Sequence, residues 1–307
     1  MKRYSGLVLA VLMLAVGCSQ EPPPLKVDLS KRENVGLLRE SSGITYAYLP
    51  QYSHTVSYKR HHLIVEFLRR ETGLNIRQVF PDTFDQHMEM VGQGKIDISY
   101  SNPFIYVKIA RRYGARALCR VVEANGRKEF RGQVICRADN RAIHTLADCR
   151  QKRWIAVDPT SAGGYLFPLG LFMSHGLTIK DFKELAFSPG PGGKQEKVVL
   201  AVYAGKYDIG TIREGTLDVV KDKIDTREIR VIANTPWYPG WVYAARAGLD
   251  PVVVKKIRAA LLKLDGHNAS QRRILEAADI RGVIPAGDHD FDPIRKLAAQ
   301  IGMRLDK

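Results

Sequence analysis

A repeated alternation of short apolar runs with longer amphipathic ones restricts this chain more than any other feature. Ile44 to Leu49, Asn75 to Val79 and Ile96 to Ser101 read as strands. Val56 to Thr72 reads as a helix with Leu63, Ile64, Phe67 and Leu68 on one face and Gly73 as its stop. Further helices open at Asp82-Thr83 and at Asn102-Pro103, the latter running to Arg112. Strands separated by helices cannot pair as hairpins. The pattern predicts βαβ units on a mainly parallel sheet.

The rhythm then breaks and resumes. Leu118 to Glu123 and Gly132 to Arg137 flank Asn125-Gly126, a turn signal that predicts a hairpin leading out of one lobe. Trp154 to Val157, Leu185 to Ser188 and Tyr207 to Thr211 are again strands. They are separated by helices over Tyr165 to His175 and Gln195 to Ala204. Val231 to Asn234 and Val242 to Ala245 bracket a Pro- and Trp-containing loop, and three helices follow (Asp250 to Leu264, Ser270 to Ala278, Asp292 to Ile301) with little strand between them. The 307 residues suffice for two lobes. The expected architecture is α/β, with two lobes joined by two crossover segments and a cleft between them, where ligands of such sheets bind. The expected boundaries are 1–17 for a leader, 18–40 for a tether, 41–137 and 241–307 for the first lobe, and 138–240 for the second.

The N-terminus narrows the compartment. Lys2 and Arg3 precede an apolar run from Leu7 to Val16, the form of a secretory signal. About ten residues cannot cross a ~30 Å hydrocarbon core as a helix. Ala15-Val16-Gly17-Cys18 resembles a bacterial lipobox, which predicts that Cys18 is acylated and becomes the mature N-terminus. Ser19 to Arg39, with Pro22-Pro23-Pro24, is then an extended tether to the membrane. Lys and Arg number 47 against 32 Asp and Glu, a formal charge of +15 that favours an anionic partner. Export argues against nucleic acid and leaves a membrane surface or a small anion.

Few residues suggest catalysis. The chain has no GxSxG elbow, no HExxH, no nucleotide-binding glycine motif and no Cys or His at metal-ligand spacing, so neither metal nor cofactor is expected. Glu214 and Asp208 flank a strand end and read as ion-pair partners, and His61-His62 as an exposed helix face. The pairing of Cys119, Cys136 and Cys149 is open. Two glycine-rich turns, Asp158 to Gly164 and Ser188 to Gly193, each join a strand to a helix. Helix N-termini present unpaired N–H groups and partial positive charge, and glycine admits a ligand close to the backbone. Two such turns facing one cleft would seat an oxyanion, with Ser161 adding a hydroxyl and loop aromatics such as Tyr52 and Trp241 excluding water.

In this order and spacing, several segments resemble the periplasmic solute-binding proteins of phosphate/phosphite/phosphonate ABC transporters. They are Gly94-Lys95-Ile96-Asp97, Pro103 to Val107, Phe130-Arg131-Gly132, Leu146-Ala147-Asp148, Asp158 to Pro168, Ala201-Val202 with Gly205 to Asp208, and Ala259-Ala260-Leu261. The resemblance covers about Ile44 to Leu264 and implies the two-lobed class II periplasmic-binding fold, closing on an oxyanion. Tyr106 matches the family's cleft tyrosine. Ser161-Ala162-Gly163-Gly164 stands where the family has a hydroxyl-rich run, and Gln195 where it has an anion-holding histidine. The expected ligand contacts are Tyr52, His54, Ser101 and Tyr106 from the first lobe, and Ser161, Gly163, Gln195 and Arg213 from the second. The resemblance implies a monomeric, membrane-anchored receptor outside the cytoplasm that hands a small oxyanion to an inner-membrane ABC permease. The alternative is a sensing receptor for an oxyanion, such as a sulfur oxyanion, that partners a histidine kinase.

Overall fold

The computed structural model describes residues 43–306; the leader, Cys18 and the tether lie outside them. The chain lays down β1 (Ile44–Tyr48), β2 (Ile76–Gln78), β3 (Ile98–Ser101) and β4 (Arg116–Glu123), then crosses through the two-residue β5 (Glu129–Phe130). It builds β6 (Gly132–Arg137), β7 (Arg153–Ala156), β8 (Glu184–Phe187), β9 (Ile209–Arg213) and β10 (Ile229–Asn234). It returns through β11 (Tyr238–Pro239) and ends with β12 (Val242–Ala245) and β13 (Ile280–Pro285).

These strands form two mixed sheets, ordered β13-β4-β12-β3-β1-β2 and β10-β6-β9-β7-β8. The sheets share one plan. In each, three parallel strands joined by helices are followed by an antiparallel strand entering from the other lobe: β12 beside β3, and β6 beside β9. The crossovers are laced together where β5 pairs with β11, Tyr238 opposite Phe130 and Pro239 opposite Glu129.

Local sequence explains the elements. Asn102 caps the helix Pro103–Tyr113: its Oδ1 accepts from Phe104 N and Ile105 N, both at 2.9 Å, Pro103 fits the first turn, and Gly114 ends the helix at φ +70°. β3 is buried on both faces, as expected of a strand in a covered parallel sheet. In the second sheet, Val134 and Cys136 of β6 and Trp154 and Ala156 of β7 point into one core cluster, while Ile135 and Ile155 point into the other. Cys119, Cys136 and Cys149 are buried free thiols.

Three expectations need correction. The turn at Asn125-Gly126 forms, with Glu123 N donating to Arg127 O at 2.8 Å, but no hairpin follows. β4 already has β12 and β13 on its two edges, so β6 pairs with β9 and β10 in the second sheet. The first crossing therefore lies between β4 and β6 rather than after Arg137, and the second lobe begins at Gly132. Between the last two helices the chain adds β13, which pairs with β4 through a register shift between Ile280 and Gly282. His61 is buried rather than on an exposed face; its Nδ1 lies 2.8 Å from Tyr46 Oη and its ring stacks on Tyr48.

Candidate functional site

The C-terminal ends of β1, β3 and β4 and the start of β12 meet the C-terminal ends of β7 and β9 across the cleft. The lobes touch there. Gln195 N donates to Gln51 O at 3.2 Å, Ser53 N to Glu196 Oε2 at 2.8 Å, and Asn102 Nδ2 to Thr160 O at 3.4 Å. Arg213, at the end of β9, donates through Nη2 to Glu123 Oε2, at the end of β4. These contacts bound a cavity of about 550 Å³, lined among others by Tyr52, Arg60, Glu123, Phe130, Arg213, Glu214, Asp218 and Asp279. A smaller void of about 20 Å³ lies behind it, against Tyr100 and Trp241.

Two arginines set the electrostatics, Arg213 between two aromatic rings and Arg60 over one. The Arg213 guanidinium lies 5.2 Å from the Phe130 ring centre and 5.5 Å from that of Trp241. Arg60 lies 4.6 Å from the Tyr52 ring and pairs with Asp279 at 2.8 Å. Burial works against the charge on Arg213, but the Glu123 carboxylate and, in smaller measure, Tyr52, Tyr100 and Asp279 together outweigh it and raise the arginine above its ordinary value. Burial pushes the Glu123 carboxyl above the usual carboxylate range in spite of Arg213. Three of the four acids on the wall are paired: Glu123 with Arg213, Asp279 with Arg60, and Glu214 with Arg131 at 2.6 Å.

Of the ligand contacts expected from the sequence, Tyr52 and Arg213 line this cavity, as does Glu214, which was read as an ion-pair partner. Gln195 stands behind it: its Oε1 accepts from Arg213 N at 3.0 Å and from Thr216 Oγ1 at 3.3 Å, fixing the backbone that carries the arginine. Gly163 packs against the same wall, where a Cβ would come within 3.0 Å of the Phe130 ring and 3.1 Å of Arg213 Cβ. Ser161 turns its hydroxyl inward, accepting from Gly164 N at 3.1 Å as the cap of the wide turn Ala162–Leu166. Lys194 ties the two glycine-rich turns together, its Nζ 2.9 Å from Asp158 Oδ2 and 3.3 Å from Ser188 O. Ser101 is fully buried and does not line the cavity.

Two expected contacts face elsewhere. His54 is half-exposed, 3.6 Å from Asp82, in an outer groove with Tyr58 and Phe80. Tyr106 donates to Asp288 Oδ1 at 2.8 Å, accepts from Ala117 N at 3.1 Å and packs on Phe291. It anchors the C-terminal segment. Arg60, Glu123, Asp279 and Trp241 complete the site without having been singled out as contacts. Glu123 directly precedes the turn that ends the first run of strands, but nothing in its neighbourhood shows which residue it will face. Among the described residues no group of three or more His, Cys, Asp or Glu is placed to hold a metal, and no helix is long and apolar enough to cross a membrane.

Residues 46–291 match the family described as ABC transporter, phosphonate, periplasmic substrate-binding protein. The chain belongs to that family. Its members are binding proteins rather than enzymes. The chain is similar to the phosphate-import protein PhnD of Mycolicibacterium smegmatis, with 24% identity over 277 residues, covering 84% of this chain and 86% of that one. In fold it is similar to PhnD1 of Prochlorococcus marinus, solved with methylphosphonate, at a TM-score of 0.76 and 17% identity over 85% of this chain and 98% of that one. It is equally similar to the binding-protein component of a Pseudomonas aeruginosa phosphonate transporter, at a TM-score of 0.76 and 20% identity over 84% and 86%. The two-lobed periplasmic-binding-protein expectation is met, and the family assignment favours import over sensing.

Proposed function

We propose that this protein captures a small phosphorus oxyanion of the phosphate, phosphite or phosphonate class between its lobes and delivers it to an inner-membrane ABC permease. The observation that carries this reading is Arg213: a buried guanidinium at the end of a central strand, clamped by Phe130 and Trp241 and held at its backbone by Gln195. A fixed, largely buried cation binds an oxyanion through charge-assisted hydrogen bonds, stronger than neutral ones. Tyr52 and Arg60 present a second cation–aromatic pair on the opposite lobe, so an anion touching both favours the closed form. Gly163 and Ser161 shape the wall behind Arg213. We assign the Lys2 to Cys18 segment to export and to lipid attachment at Cys18, which would keep the receptor beside its permease.

Calorimetry and thermal melting of the full chain with phosphate, phosphite, methylphosphonate and aminoethylphosphonate test the reading. A ligand at 100 times its dissociation constant adds about 2.7 kcal/mol. A raised melting point with at least one of these ligands, abolished in Arg213→Gln/Glu123→Gln, is expected. Absence of any shift in the unaltered protein would remove the oxyanion assignment. Mass spectrometry of the membrane fraction tests the anchor: a diacylglyceryl-modified Cys18 at the N-terminus supports it, and an unmodified chain cleaved elsewhere refutes it.

A further inference from the structure

The end of the first lobe farthest from the cleft carries cations without partners. Strand register defines that end. Tyr46 of β1 pairs with Ile98 of β3, and Ala245 of β12 pairs with both Ile98 and Arg116, so the starts of β1, β3 and β4 lie together there. The helix Pro103–Tyr113 runs back from the cleft and finishes at the same end. Beside it opens a cavity of about 560 Å³, walled by Arg111, Arg116 and Arg295 together with Tyr106 and Asp288. Asp288 is the one acid in this lining and is already taken, accepting from Tyr106 Oη and from Arg295. Arg111 and Arg116 are exposed, and their side chains make no hydrogen bond or ion pair among the described residues. Lys95, just before β3, and Arg112, in the last turn of the helix, add two exposed cations at this end. Of the acids nearby, Asp97 is paired with Arg246 and Asp292 with Arg295.

Where the chain leaves the lobe narrows the partner. Gly43 directly precedes β1, so the segment 18–42 that leads from Cys18 joins the lobe at this same end. An anchor at Cys18 therefore keeps the arginine-lined end, rather than the cleft, on the shortest reach to lipid. Clustered Lys and Arg are drawn to anionic headgroups, each adding to the attraction. We propose that this end of the first lobe rests on an anionic lipid surface, with a headgroup phosphate seated between Arg111 and Arg116. Guanidinium groups suit that partner, because their paired N–H donors match phosphate oxygens. The cleft, at the opposite end of the strands, then stays open to solute. This inference rests on the reading of the N-terminus as an exported, lipid-anchored segment, and names the surface that faces the bilayer.

Co-sedimentation with vesicles reads this out, using phosphatidylcholine alone or mixed in equal parts with phosphatidylglycerol. The protein is the full chain with Cys18→Ser, so that no acyl chain contributes. The apolar run Leu7 to Val16 is common to every variant, and the reading is the difference between variants. Added Arg111→Gln/Arg116→Gln should weaken binding to the acidic vesicles at least about tenfold. Added Lys180→Gln/Lys183→Gln, which removes two exposed charges from the second lobe, should weaken it less than about threefold. Raising the salt to about 1 M, where the screening length falls to ~3 Å, should release the protein from the acidic vesicles to the level seen with neutral ones. Thermal melting checks that the arginine variant is folded. Equal affinity of the arginine variant and its parent overturns the inference, as does an equal loss in the lysine variant. Absence of any preference for acidic vesicles also overturns it and leaves the arginines to an acidic protein partner. Mass spectrometry of the otherwise unaltered protein separates the two readings. Failure on the vesicles with Cys18 acylated removes this inference alone, whereas a chain retained unprocessed in the cytoplasm removes the anchor and this inference together.

Discussion

Arg213 draws its partners from four separate stretches of chain: Glu123, Phe130, Gln195 and Trp241. Removing a buried charge while leaving its partner costs roughly 3–5 kcal/mol, whereas removing both can be nearly neutral. Arg213→Gln is thus expected to lower stability in urea by a few kcal/mol, lessened by proton uptake on Glu123, and Arg213→Gln/Glu123→Gln to recover most of the loss. Equal stability of the single and double variants would refute the pairing. A pH dependence belongs to the same scale. His61 and His87 are buried neutral, their pKa values lowered by burial from 6.5 to about 3. Between these values the unfolded chain holds the extra protons, so stability is full above about pH 6.5 and declines as the pH falls. The decline is up to about 1.4 kcal/mol per pH unit for each ring. Replacing His87, whose Nε2 lies 2.7 Å from Ser99 Oγ, by Gln should flatten the acid limb of the melting-point profile. An unchanged slope counts against the assignment. Arg213 and Tyr52 were legible in the sequence because each follows a recognisable strand at the cleft end. Glu123 and Trp241 were not legible as a pair: more than a hundred residues separate them, and only the crossing of the lobes sets them around one void.

Secondary elements were the most readable level, because their signals are local. The Asn102 cap, Pro103 and Gly114 mark their helix without any knowledge of the rest of the fold. β13 escaped notice because Gly282 and the register shift interrupt its alternation, and its strand character comes from pairing with β4. The Asn125-Gly126 turn was correctly placed, yet the partner of β6 was decided by which sheet edges were already taken. Asn102 also shows one residue serving an element and the cleft, since its Oδ1 caps the helix and its Nδ2 reaches Thr160 O of the other lobe. Asn102→Ala should cost about 1 kcal/mol through the cap, measured by denaturant unfolding. Asn102→Asp should recover much of that stability but not the contact with Thr160. Equal stability of the Ala variant and the unaltered protein would refute the capping role.

At the scale of the molecule, the cleft faces of the lobes meet through hydrogen bonds of backbone and side chain and through the Arg213–Glu123 ion pair. Receptors of this kind exchange between open and closed forms by bending between domains. The Arg213–Glu123 contact spans the cleft, so Arg213→Gln/Glu123→Gln without ligand should favour the open form. Small-angle X-ray scattering should show a larger radius of gyration than for the unaltered protein, and identical profiles would mean that the pair does not hold the lobes together. The helix Asp292–Gln300 packs on Pro103–Tyr113 of the first lobe and on Phe167–Ser174 of the second, so it rides across the bend. The pairing of β5 with β11 has a mechanical consequence. Two independent strings would let the lobes twist, slide and splay, but a pair stitched at Tyr238 and Phe130 acts as a door on one pin, with swing as its easy motion. The Phe130 ring stands on that pin and also touches the Arg213 guanidinium, so whatever settles on Arg213 presses directly on the axle of the door.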